Sequence, residues 1–91
     1  MPYIEKQSRK KFDKDSKKLS QKIESAGELN YVITSLLHNY VEKKGLNYNI
    51  LNEVQGVMSC ATFEFNRVII SPYEDKKIQE NGYVSELDKK N

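Results

Sequence analysis

Ninety-one residues are enough for one domain and too few for two, and a chain of that length can hold a single core without disulfides or metals. An apolar share of 37%, no Trp, four Gly and two Pro suit helices, which need bury only one stripe each, and exclude a turn-rich β fold or a disordered chain. The net charge of +2 is unevenly placed: through residue 25, eight basic side chains face four acids, giving +4 and leaving −2 for the rest.

The first predicted helix spans about 8–24. Phe12, Ser16, Leu19, Ile23 and Ala26 recur at spacings of three and four and form a narrow stripe. Lys10, Lys11, Lys14, Lys17, Lys18 and Lys22 project over about 140° of the opposite side at 3.6 residues per turn. Ahead of this helix, Tyr3 and Ile4 read as an arm that packs onto the body.

The second helix is predicted over 26–44. Ser25-Ala26-Gly27-Glu28 is a capping box, in which Ser25 accepts from an early backbone N–H and Glu28 reaches back. Leu29, Val32, Ile33, Leu36, Leu37, Tyr40 and Val41 follow as a broad apolar face. Gly45 stands where a left-handed C′ residue ends a helix, with Leu46 placed to touch Val41.

Asn47 caps a third helix, predicted over 48–70, with Leu46 and Leu51 at the positions of a hydrophobic staple. Its seam, Leu51, Val54, Met58, Ala61, Phe65 and Val68, has the period of a helix packed against near-antiparallel neighbours. Ser71-Pro72-Tyr73-Glu74 reads as a second capping box with proline at its first helical position. A short fourth helix, about 72–81, should stop at Gly82, with Tyr83 packing back on Ile78. The expected fold class is therefore all-α: a three-helix core plus a short C-terminal helix in one domain, 1–84, followed by a polar tail, 85–91, that frays.

A second strip lies on another side of helix three, where Gly56, Phe63 and Ile70 recur every seven residues with Ser59 and Asn66 beside them. A glycine inside a helix costs about 1 kcal/mol against alanine, so it often marks a close backbone approach. Two occupants fit the strip: another helix of the same chain, or a second copy in an isologous dimer.

Candidate chemistry is sparse. His38 has no second histidine to build a metal cluster or catalytic pair, and reads as a surface or partly packed residue. Cys60, between small and apolar neighbours in mid-helix, reads as a packed thiol rather than a nucleophile. Glu53 and Glu64 share a helical face but stand three turns, roughly 16 Å, apart and cannot chelate one ion. The spacings that bring carboxylate and histidine ligands together on bundle helices do not occur, so no metal and no cofactor is expected. The lysine face could neutralise phosphates, yet it has one arginine and no interleaved aromatics, which makes a solvated face the preferred reading over nucleic-acid binding. Asn47, Asn49, Asn52 and Glu53 cluster at the start of helix three, either as a hydrogen-bond network, the favoured reading, or as a small-ligand pocket.

Met1-Pro2-Tyr3-Ile4, Gly27-Glu28-Leu29-Asn30-Tyr31, Leu51-Asn52-Glu53-Val54 with Gly56, and Pro72-Tyr73-Glu74-Asp75-Lys76 with Asn81-Gly82 carry a resemblance over most of the chain up to about Val84. In these motifs the chain resembles a family of short proteins from bacteria, archaea and their phages to which no activity is attached. It departs from that pattern at Asn66-Arg67 and Gly82-Tyr83. The resemblance implies a prokaryotic or phage accessory protein and carries over no functional residue.

The leading functional expectation is a non-enzymatic helical interaction module that self-associates through helix three. The alternatives are a nucleic-acid-associated accessory protein using the lysine face, and a nucleotide-metabolism enzyme with a site formed between subunits. The single cysteine, the absence of a leader pattern at the start and the lack of any run of about 18 apolar residues point to the cytoplasm and away from a membrane.

Overall fold

The computed structural model of the chain describes residues 4–89. Met1-Pro2-Tyr3, with the aromatic half of the expected arm, and Lys90-Asn91 lie outside the described residues. The fold is all-α, as the periodicities require: α1 (Lys6–Lys22), α2 (Ala26–Lys44), α3 (Tyr48–Phe65), a π segment (Asn66–Ile70), α4 (Ser71–Asn81) and a 3₁₀ turn (Glu86–Asp88). Among the described residues there are no strands, and no helix is long and apolar enough to cross a membrane. The chain divides into two units, Met1–Lys43 and Lys44–Asn91.

In the first unit, α1 begins a little before the expected residue 8. Its cap residue Glu5 is extended and makes no side-chain bond, while the Ser8 N–H donates to the Glu5 carbonyl at 3.0 Å. The helix stops at Lys22 because Ile23 turns extended. Three residues later the Ser25 box forms: the Glu28 N–H donates to Ser25 Oγ at 3.1 Å, and the Leu29 N–H to the Ser25 carbonyl at 3.0 Å. The Glu28 carboxylate reaches one residue further back than a standard box, accepting from the Glu24 N–H at 2.7 Å. Along α2 only Val32, Ser35, Leu37 and Val41 are half-buried, so most of its apolar face stays open.

The second unit opens at two backbone punctuation marks. Gly45 has φ +114°, a conformation that an L side chain rarely adopts, and Asn47 Oδ1 accepts from the Ile50 N–H at 3.1 Å. Leu46 is 80% exposed, so the expected staple with Leu51 covers little surface.

The largest departure from the expected fold lies at Ser71-Pro72. No capping box forms there. Ile70 and Ser71 are both in the right-handed helical region, no side chain caps them, and the helix runs without a break from Tyr48 to Asn81. Pro72 cannot donate to a carbonyl one turn back, and its ring would crowd that carbonyl in an ordinary α-helix. The π segment resolves this by spending one extra residue just ahead of the proline; the Ser71 N–H donates five residues back, to the Asn66 carbonyl. The Asn66 side chain also donates to the Thr62 carbonyl at 3.1 Å, securing the entry to the segment. The resulting rod of 34 residues is roughly 50 Å long at 1.5 Å per residue. It ends where expected, at Gly82 (φ +93°), whose N–H donates to the Ile78 carbonyl at 2.7 Å.

After the rod, the stretch expected to fray is locally organised as far as Lys89. Ser85 Oγ accepts from the Leu87 N–H and Asp88 Oδ2 from the Val84 N–H, closing the 3₁₀ turn.

Candidate functional site

The seam of α3 places Val54 and Met58 innermost. Val54, 9% exposed, is the one buried residue among those described; Met58 is half-buried, while Leu51, Phe65 and Val68 stay exposed. The cause lies in α3's composition. From Tyr48 to Phe63 it carries a single charge, Glu53, so it has no face built for water, and Ile50 and Val57 widen the apolar side to about 120°.

On the other side of α3, Gly56 and Phe63 share a face, as the seven-residue spacing requires. Phe63 is 72% exposed, and a Cβ built on Gly56 meets nothing within 4 Å. Phe63 borders a shallow depression of about 240 Å³ with Gln55, Met58, Ser59 and Thr62. Ile70 does not continue this strip. It closes the π segment, and one inserted residue turns whatever follows by about 100°, one residue's worth of a 3.6-residue turn. Beyond Phe65, Val68, Ile69 and Tyr73 are all exposed. Tyr73 lies beneath the Lys77 ammonium, 5.6 Å from the ring centroid, and Lys77 pairs with Glu80 at 3.2 Å.

The remaining candidates stand apart. Glu53 and Glu64 lie on α3 at the separation expected, and Glu64 is held by Arg67 at 3.0 Å. Cys60 is exposed rather than packed, because its position faces away from the seam. His38 is exposed on α2. Among the described residues no group of three or more His, Cys, Asp or Glu gathers to hold a metal. Asn47 is a cap; Asn49, Asn52 and Glu53 are exposed, and no polar side chain is buried among the described residues, so the asparagine cluster is not a buried network.

The first unit holds the lysine face and an apolar groove. Lys10, Lys11, Lys14, Lys17, Lys18 and Lys22 are all exposed along α1. Leu19 and Ile23 from the end of α1 meet Tyr31 and Val32 of α2 around an open groove of about 330 Å³, with Lys22 and Glu28 at its rim. The helix junction forms this groove, and sequence reasoning missed it because α1 and α2 were read as separate stripes. Leu19 and Tyr31, twelve residues apart across the Ser25 cap, were the available signal.

The chain belongs to a family described as a domain of unknown function, DUF6899, whose model matches residues 1–84. No curated protein and no solved structure matches the chain.

Proposed function

We propose that this DUF6899 protein is a non-enzymatic helical interaction module that self-associates through α3, an accessory protein of a prokaryotic or phage cytoplasm. The observation that carries the reading is the unbroken helix from Tyr48 to Asn81. Because α4 extends α3 instead of folding back on it, the chain has one helix fewer to cover a spine that carries a single charge over sixteen residues. Among the described residues only Val54 is buried.

A second copy is the occupant that suits the Phe63 face. In an isologous pair each Phe63 enters the depression bounded by Gln55, Met58, Ser59 and Thr62 on the other copy, so one residue supplies both knob and rim. Gly56 supports the same occupant, because among the described residues nothing approaches it closely enough to need a glycine. The single cysteine favours a reducing compartment.

The test is Phe63→Glu, with mass measured by light scattering. The expected outcome is a dimer for the natural chain and 10.6 kDa for the variant. An unchanged mass in both overturns the assignment of Phe63 to the contact.

A further inference from the structure

The exposed lysine face of α1 has a pattern that ordinary solvation does not account for. A solvated helix intersperses charges of both signs, and acids four residues before lysines add a few tenths of a kcal/mol each. On α1 the four positions neighbouring Lys14 at three and four residues are Lys10, Lys11, Lys17 and Lys18. Every one of these pairs repels. Lys10, Lys14, Lys18 and Lys22 form a row in which no acid stands four residues from any member; Asp13 and Asp15 reach Lys10 and Lys18 only at the weaker three-residue offset. Among the described residues no lysine of α1 is ion-paired.

The helix N-terminus adds to the same field. The first turn of α1 has no acid and no side-chain cap, while Lys6, Arg9 and Lys10 stand at the positive end of the helix dipole. Asp13 stands four residues before Lys17 and Asp15 four after Lys11, so the unneutralised part of the surface is the row Lys10, Lys14, Lys18 and Lys22, with nothing on α1 buried in compensation.

We infer that this surface, centred on Lys14, binds the phosphodiester backbone of a nucleic acid without regard to sequence. The chemistry narrows the partner. Lysine ammoniums are point charges suited to phosphate, and the one guanidinium of α1, Arg9, stands off the lysine row at its start, so base identity goes unread. An acidic protein would need an apolar centre to its interface, and the patch has only Phe12 at its edge, beneath the Lys11 ammonium 5.1 Å from the ring centroid. A bilayer would need a broad free apolar face; α1 offers only Phe12, 52% exposed, and Leu19, 37% exposed, the latter lining the groove with Tyr31 and Val32 of α2. The inference does not depend on self-association.

The experiment is fluorescence anisotropy of the full chain with mixed-sequence single- and double-stranded oligonucleotides, from about 50 to about 200 mM salt. Four neutralised phosphates predict that affinity for duplex falls about 150-fold over that range. Lys14→Gln with Lys18→Gln should cut the fall to about twelvefold, while Lys14→Arg with Lys18→Arg should leave it unchanged. Circular dichroism checks that the variants keep α1. No binding at the lowest salt overturns the inference, as does an unchanged salt dependence in the glutamine variant. Tighter binding to vesicles of three parts phosphatidylserine to seven of phosphatidylcholine than to nucleic acid also overturns it, and assigns the patch to a membrane surface instead.

Discussion

Asn47 and Ser25 each satisfy a backbone donor that the start of a helix leaves open, and each was legible from residue type and position alone. Truncating an N-cap of this kind costs about 1 kcal/mol, so Asn47→Ala should lower unfolding stability by that amount in a urea titration, with the slope unchanged. Gly56 makes a sharper test because two accounts predict opposite signs. If its only consequence is local, Gly56→Ala removes a mid-helix glycine and stabilises the chain by about 0.5–1 kcal/mol. If a second copy approaches its Cα, the added methyl weakens association, and the fraction of dimer at a fixed concentration falls. Self-association predicts the second outcome, read by sedimentation. The left-handed glycines, by contrast, have one reading: Gly45 and Gly82 sit at positive φ where α2 and α4 end, as their place after the last apolar residue implied.

At the scale of elements, the four α-helices were legible, and the junction between the last two was not. Period and caps located α2 to within a residue, because Ser25 and Gly45 bracket it with opposite backbone requirements. Ser71-Pro72-Tyr73-Glu74 carried an equally good cap signature and misled. Serine before proline favours an extended backbone, but a π turn can absorb the proline's missing N–H and its ring without breaking the helix. Periodicity has no signal for that choice, since both outcomes are helical on either side. The consequence reaches the candidate strip, because the extra residue rotates Ile70 away from Phe63. Pro72→Ala should allow segment 66–70 to relax to α geometry. The expected reading is slower amide exchange from Asn66 to Ser71 than in the natural chain, and unchanged exchange there would show that the π register has another cause.

For the whole molecule, the question is what covers the apolar surface that each unit leaves open. A marginally stable protein cannot leave a spine as poor in charge as Tyr48–Phe63 against water without cost, at roughly 25 cal/mol per Å² of apolar area. The sequence carried this tension in the second strip on α3, where a second copy and another helix of the same chain were both open. The continuous rod weighs toward the copy, because it removes α4 from the helices able to fold back. If folding and association are one process, the thermal midpoint should rise with protein concentration, whereas a self-contained monomer would unfold at a fixed temperature.

The most direct measurement is the mass of the natural chain by multi-angle light scattering over a hundredfold range of concentration, with a scattering radius recorded alongside. Self-association through α3 predicts twice 10.6 kDa at the upper end. A constant 10.6 kDa with a radius of gyration near 12 Å, the value for a compact chain of this length, would mean that the chain covers its own spine, and would contradict the account.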